Sequence, residues 1–318
     1  MKHKLVTSLS GDESRNFIYK LGANFDASFY KRRTDRNIGW ITPAEQEILR
    51  QSTVSVAGCG GMGGLLASIL LRLGVGKLKI ADPELFDESN INRQFGAGKF
   101  SINKSKAIIT ARLLRDISDD TEIVVYPMGI NKEVVDDFVS GSDLICDEIE
   151  FWALGDRVLL HQSSRANNVP ILSANTVGHQ INLFYFDSES TPIEDVLHLN
   201  LDEAYLLQKK IMSNNIDLKT TTEVIRSIVE ALIPIPPNYG KVDNQNLLIS
   251  DYAMNRLKQE RRAPIIASNP PFASGFIANH VLFQLLKNSG AKRDIVYPPS
   301  FPGYLRIDSG EMSAIVQK

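Results

Sequence analysis

The segment Gly58-Cys59-Gly60-Gly61-Met62-Gly63 satisfies G-x-G-x-x-G and is the first stretch whose residue types specify a ligand chemistry. Glycines at this spacing let backbone N–H groups and a helix N-terminus approach a phosphate, provided a strand precedes them and a helix follows. Thr53 to Gly58 (TVSVAG) reads as that strand and Leu65 to Gly74 as an amphipathic helix. Lys77 to Asp82 (KLKIAD) reads as a second strand. It closes on Asp82, roughly 20 residues on, where an acid can bind a ribose hydroxyl. To this point NAD, FAD and ATP fit equally. Cys59 reads as a small packed side chain, with a reactive thiol at a helix N-terminus as the alternative.

The next segment, DPELFDESNINRQFGAGKFSINKSKA, has more polar groups than hydride transfer needs. A nucleoside triphosphate accounts for them. Arg93 and Lys106 are cations able to neutralise charge on transferring phosphates, while Ser89, Asn90 and Gln94 supply donors that fix their orientation. A solvated polar loop is the plain alternative.

Taken together, GCGGMG, Asp82, SNINRQ and the SK of NKSKA resemble the ThiF/MoeB/HesA family of ATP-dependent activating enzymes, relatives of the ubiquitin-activating enzymes. The resemblance runs from Tyr30 to about Asp187 and returns at APIIASNPPFASGF. It implies that Gly58, Gly60, Gly61 and Gly63 form the nucleotide loop and that Asp82 holds the ribose of ATP. Ser89, Asn90, Arg93, Gln94 and Lys106 would surround the phosphates. Arg36, in RTDRNIGW, matches the arginine that the family inserts into the neighbouring subunit's ATP site, with Arg33 as the alternative, and so implies a homodimer. A magnesium-holding acid, usually the second aspartate of D-x-x-D, is expected after the fourth strand. In CDEIE that position is Glu150, and Asp147 is the substitute. Asn103 replaces the glycine expected before the lysine, a mild change because asparagine tolerates left-handed backbone angles.

Two family features are missing. Cys59 and Cys146 are the two cysteines of the chain, so there are no C-x-x-C pairs to clip zinc, and no cysteine follows Cys146 to form a thioester. The histidines His3, His161, His179, His198 and His280 lack metal-ligand spacing. The resemblance therefore implies an adenylyltransferase that uses ATP and Mg²⁺ without zinc. Its substrate would be the C-terminal carboxylate of a small carrier protein or peptide. Two alternatives stay open: a degenerate activating enzyme that only binds nucleotide or partner, and an NAD- or FAD-dependent oxidoreductase.

These groups need a scaffold, and the rhythm of the chain specifies one. Strand-like EIVVYP, DLICD and VPILSA alternate with helical patterns at Lys104 to Leu114, Lys132 to Val139 and Ala153 to Ala166. The expectation is a Rossmann-like doubly wound α/β fold, a mostly parallel sheet with helices on both faces. INLFYF (Ile181 to Phe186) continues the sheet, with an antiparallel direction left open. Residues 1–40 read as an N-terminal arm, 41–190 as the adenylation domain and 191–262 as a helical insertion. Residues 263–318 return to the core with a helix from Ser268 and a strand or hairpin in VYPPSFPGYLRID. Thr42-Pro43-Ala44-Glu45 reads as a capped helix start.

Composition sets the outer bounds. The 318 residues suffice for about two domain-equivalents. A net charge of −2 offers no general attraction to nucleic acid or an anionic membrane. No window approaches the roughly 20 apolar residues of a membrane span, so a cytoplasmic protein is expected.

Overall fold

In the strand Thr53–Ala57 (β3), Val54 and Val56 turn to one side and Ala57 to the other, and all five residues are buried. A strand buried on both faces belongs inside a sheet covered by helices on both sides. The computed structural model puts β3 there. It describes residues 1–213, 218–237, 239, 241–242, 247–248, 253, 255–256, 259–260, 263–291 and 293–318.

The elements begin with Lys2–Val6 (β1), Phe17–Leu21 (β2), Ala27–Thr34 (α1) and Pro43–Gln51 (α2), ahead of β3. Next come Gly63–Leu73 (α3), Lys77–Ala81 (β4), Lys106–Ile117 (α4), Glu122–Tyr126 (β5) and Val135–Val139 (α5). Leu144–Asp147 (β6), Leu154–Ala166 (α6), Ile171–Val177 (β7) and Gln180–Phe186 (β8) complete the alternating region. The insertion holds Ile193–Leu197 (α7), Leu201–Met212 (α8), Leu218–Leu232 (α9) and two short strands, Lys241–Val242 (β9) and Leu247–Leu248 (β10). Asn269–Leu286 (α10), Tyr304–Asp308 (β11) and Ser313–Gln317 (β12) close the chain.

The ten-stranded sheet has the order β1-β2-β5-β4-β3-β6-β7-β8-β11-β12. Its five central strands are parallel. The chain winds outward from β3 to β4 and β5, then returns to β6 and β7 on the other side, so the direction reverses between β3 and β6. A crevice forms outside the carboxyl ends of the strands at such a point. Helices α3, α4 and α10 cover one face through Leu66, Leu70, Ile108, Leu114, Ile277 and Val281. Helices α5 to α7 cover the other through Phe138, Val158, Leu160 and Leu197.

The expected α/β fold is therefore present, with differences at its edges. Residues 1–40, read as an arm, place β1 and β2 on the sheet beside β5. Helix α1 then docks on the far end of α3, where the Tyr30 hydroxyl donates to Gly74 O at 2.7 Å. Arg33 forks onto Asp120 at 2.7 and 2.8 Å and also reaches Leu71 O at 2.9 Å. The α2 start forms the expected reciprocal cap between Thr42 and Glu45. Glu45 also receives Arg293 and Ser289, which ties α2 to the chain beyond α10.

The β8 strand runs antiparallel to β7, and β11 with β12 forms a hairpin paired to β8. The single helical pattern around Leu197 to Met212 divides into α7 and α8, because His198 takes a left-handed backbone angle and Asn200 caps a new helix. In the QERR segment, Gln259 and Glu260 are helical, and Arg261 and Arg262 lie outside the described residues. Among the described residues no helix is long and apolar enough to cross a membrane.

Asp120 is fully buried and Arg33 nearly so, and breaking such a pair leaves a charge without compensation. Arg33→Ala is expected to lower unfolding free energy by about 3 kcal/mol in urea titration. Arg36 makes no ion pair or hydrogen bond among the described residues, and Arg36→Ala should change stability by less than about 0.5 kcal/mol.

Candidate functional site

The chain leaves β3 through Gly58, whose φ of +106° is left-handed. A Cβ there would stand 2.1 Å from Glu148 O, and a Cβ on Gly63 would stand 2.0 Å from Gly58 O. Both glycines are required by the packing of the loop against itself and against the chain leaving β6. Gly60 and Gly61 differ. A Cβ on Gly60 meets only Gln94 Nε2, at 3.8 Å, and one on Gly61 meets Pro270 and Arg93 Cγ at 3.4 and 3.7 Å. They therefore keep an open face toward a cleft where Gln94, Arg93 and the start of α10 converge. The α3 N-terminus on this loop has no side-chain cap, so its first N–H groups remain available to an anion.

Asp82, at the end of β4, lies beneath the loop and is buried. Its carboxylate accepts from Cys59 N at 2.7 Å and from Glu84 N at 2.8 Å, linking the two strand exits. Burial pushes its pKa up to about 6, against the pull of Lys106. Lys106 opens α4, is itself buried, and donates to Glu84 Oε2 at 2.5 Å. Desolvation opposes its charge, and Asp82 and Glu84 outweigh that cost and raise its pKa. Glu150 keeps solvent access in the same cleft. Its pKa is raised first by desolvation and then by the charge of Glu84, against Lys106, Arg157 and Arg93.

A group holding Mg²⁺ would have to draw on these acids. Among the described residues no three His, Cys, Asp or Glu side chains converge as a ready-made cage. Magnesium is commonly held by one or two carboxylates plus phosphate oxygens and water. Two acids that disfavour each other's charge at the rim of a phosphate cradle fit that demand, because a divalent cation removes the repulsion.

A sequence model of the ThiF family matches residues 34–296. The chain belongs to the ThiF family. It is similar to the tRNA threonylcarbamoyladenosine dehydratase of Bacillus subtilis, 24% identical over 257 residues, which cover 78% of this chain and 92% of that protein. It is also similar to the sulfur carrier protein ThiS adenylyltransferase of B. subtilis, 28% identical over 164 residues, 51% of this chain and 47% of that one. The chain spans less than half the length of this and several other curated relatives. Among solved structures, Escherichia coli MccB with ATP superposes with a TM-score of 0.57 at 16% identity, covering 86% of this chain and 66% of that one, a likeness of fold.

In this ThiF-family chain, the glycine loop, Asp82, Arg93, Gln94, Lys106 and Glu150 gather around one cleft. Arg93 is half-exposed there and donates to Ser89 O and Asn92 Oδ1. Gln94 is buried with Oε1 unpartnered. Ser89 and Asn90 serve their own turn: Asp87 accepts from the Ser89 N–H and hydroxyl, and Asn90 Oδ1 accepts from Asp87 N. Asn103 takes a φ of +65°, the left-handed angle that made it an acceptable replacement for glycine. Cys59 and Cys146 are both buried, and burial raises both thiol pKa values.

Asp147 turns away from the cleft, into the layer under α6, where Arg157 Nε donates at 2.9 Å and His161 Nε2 lies at 2.9 Å. Arg36 stands near the far end of α3, beside Asn37, which donates to Leu73 O. An α3 of 11 residues separates it from its own glycine loop by about 16 Å. Sequence reading passed over Glu84, Glu148 and Arg157. The available signal for Arg157 was its i, i+4 spacing to His161, which puts both on one helix face.

Glu148 is partly exposed, yet both of its carboxylate oxygens are buried and neither has a partner among the described residues. Desolvation, then the Asp147 charge, pushes its pKa well above the ordinary value of 4.5. The folded protein therefore holds Glu148 protonated at pH values where the unfolded chain has released that proton. Stability from this site is lost as pH rises above the ordinary carboxylate range toward the folded pKa. Glu148→Gln should remove that slope, so that its unfolding midpoint relative to wild type improves from pH 5 to pH 8. A relative midpoint that worsens over this range would show that the folded state uses the ionised carboxylate.

Proposed function

We propose that this ThiF-family protein is an ATP- and Mg²⁺-dependent adenylyltransferase that activates a carboxylate, the C-terminus of a small carrier protein or peptide. The observation that carries the reading is the convergence of an uncapped α3 N-terminus with Lys106, Arg93 and the Glu84 and Glu150 pair in one cleft. A hydride-transfer site has no use for that charge pattern. The adenylyltransferase activity for which the B. subtilis ThiS relative is named supports the same class.

The substrate carboxylate is ionised at neutral pH and needs no general base. Its oxygen forms a bond to the α-phosphorus of ATP while the bond from that phosphorus to the bridging oxygen breaks, giving an acyl-adenylate and pyrophosphate. The loop N–H groups and Gln94 orient the triphosphate, and Asp82 keeps the loop shaped and lies where the ribose is expected. Lys106 and Arg93 stabilise charge moving onto pyrophosphate. For this, Lys106 must exchange its Glu84 partner for phosphate oxygens. Glu150, with Glu84, would hold Mg²⁺, since the Asp147 carboxylate is engaged by Arg157 and His161. When bound, magnesium neutralises phosphate charge.

Arg36 would act in a homodimer, completing the neighbour's site. Its distance from its own loop, its exposure and its lack of a partner among the described residues support that role. With no available thiol on this chain, the adenylate would pass directly to an external nucleophile.

Thermal unfolding with ATP plus Mg²⁺, run beside NAD, NADP and FAD, tests the reading before the carboxylate is known. ATP with Mg²⁺ should raise the midpoint, and Arg93→Ala should shrink that rise. Stabilisation by a dinucleotide alone would transfer the protein to the oxidoreductase reading. Nucleotide binding without pyrophosphate exchange across peptide and modified-RNA carboxylates would leave a binding module. With a substrate in hand, Lys106→Ala should lower pyrophosphate exchange by about 10² to 10³-fold.

Subunit mixing tests the dimer. Arg36→Ala and Lys106→Ala proteins, each impaired alone, should recover about a quarter of wild-type activity when co-assembled at equal amounts, because half the dimers carry one intact site. No recovery in verified mixed dimers would exclude the shared site.

A further inference from the structure

The carboxylate assigned to magnesium sits on a loop, and loops hold a ligand in place only when something fixes them. Between β6 and α6 that fixing is concentrated on one residue, Ile149. The Ile149 N–H donates to Asp147 Oδ1 at 3.1 Å, and the Ile149 carbonyl accepts from Arg157 Nη2 at 2.5 Å. The same guanidinium donates through Nε to Asp147 Oδ2 at 2.9 Å. Asp147 is held in turn by His161 Nε2 at 2.9 Å and by the Ser173 hydroxyl at 3.3 Å from β7. One residue further on, Glu150 O accepts from Ala153 N at 3.0 Å at the entry to α6. Glu150 is thus bracketed by two anchored carbonyls. Arg157 and Asp147 are buried, so this clamp lies in the protein interior and does not exchange freely with water.

We infer that Arg157 is a positioning residue: by bridging Asp147 and the Ile149 carbonyl, it holds the Glu150 carboxylate opposite Lys106 and Glu84 and so sets the divalent-cation affinity of the cleft. The inference rests on the adenylation reading above and deepens it. Arginine suits the task because its fork serves the carboxylate and the carbonyl at once, whereas a single ammonium is a point charge without that geometry. Arg157→Lys therefore separates two roles. It keeps a cation beside the buried Asp147, which preserves the fold, and it loses the second arm on Ile149.

The test is the Mg²⁺ dependence of thermal stabilisation by ATP, with metal-free ATP in EDTA as the reference. Arg157→Lys should be stabilised by metal-free ATP as wild type is, since the glycine loop and Arg93 are untouched. Its half-saturating Mg²⁺ concentration should rise by about 10 to 100-fold, the usual effect of losing a partner that orients a metal ligand. Glu150→Gln should show a shift at least as large. The double variant Asp147→Asn with Arg157→Gln removes both buried charges together and carries the same measurement should the lysine variant not fold.

A folded variant with a lowered unfolding midpoint and an unchanged Mg²⁺ midpoint would overturn the inference and leave Arg157 a structural residue. A wild-type protein stabilised by metal-free ATP but indifferent to Mg²⁺ would remove the magnesium assignment and this inference with it. A wild-type protein that ATP does not stabilise at all would instead bring down the adenylation reading on which the inference stands.

Discussion

The close approach of Gly58 to the Glu148 carbonyl is the constraint on which the site depends. With no room for even a methyl group between them, the loop leaving β3 and the loop leaving β6 interlock, and neither can move without the other. One loop carries the N–H groups proposed to cradle phosphate and the other carries Glu150. Their separation is therefore set by backbone contact, which is stiffer than any side-chain pairing. The neighbouring exit is tied in by Asp82, which takes one hydrogen bond from the β3 loop and one from the chain after β4. Three adjacent strand ends thus become one rigid rim, and the fold places its reversal of winding at that rim.

Electrostatics divides this rim into two layers. Beneath it, Asp147 is paired with Arg157 and His161, and the Glu148 carboxyl, without a partner among the described residues, has its pKa pushed well above the ordinary value by desolvation and then by the Asp147 charge. Above it, in the cleft, Asp82, Glu84 and Glu150 gather around Lys106, with Arg93 at the side. The Glu84 charge thus adds to desolvation in raising the pKa of both Asp82 and Glu150, and a ligand that relieves this would bring divalent charge and phosphate oxygens together. A triphosphate with magnesium would meet both demands at once. A dinucleotide brings phosphate oxygens through its pyrophosphate but not the divalent charge.

Much of this was legible in the residues. The strands and helices between Thr53 and Ala174 follow their periodicity, since each strand is buried on both faces and each helix on one, so pattern and burial agree. The glycine loop, Asp82, Arg93, Gln94 and Lys106 were singled out in the sequence by residue type and resemblance, and the structure brings them near one another. Glu84 was harder to see because its role is relational: it matters as the partner of Lys106 across a gap of 22 positions that no local pattern spans. For the two candidate acids of CDEIE the sequence put Glu150 at the expected position with Asp147 as its substitute, and no local pattern shows which of them faces the cleft. Asp147 and Glu150 differ in which side of β6 and its exit they face, and what fixes that is Arg157 on the next helix. The β1 and β2 strands were missed because β1, at the sheet edge, is exposed along nearly its whole length, and β2 is short, with charge and aromatic content that obscure its alternation.

The position of α1 carries the last step. Helix α3 offers its N-terminus to the cleft and its C-terminal end to α1, with Tyr30 and Arg33 gripping the carbonyls that the helix leaves open there. Those two residues are consumed by the grip. Arg36, three residues on from Arg33, is exposed, as are Ile38 and Trp40. The homodimer proposed above would cover this exposed segment. A two-fold contact would also allow an arginine at the remote end of one α3 to approach the anion-binding end of the other. The same helix that separates Arg36 from its own phosphate loop would then be the spacer that matches it to its neighbour's.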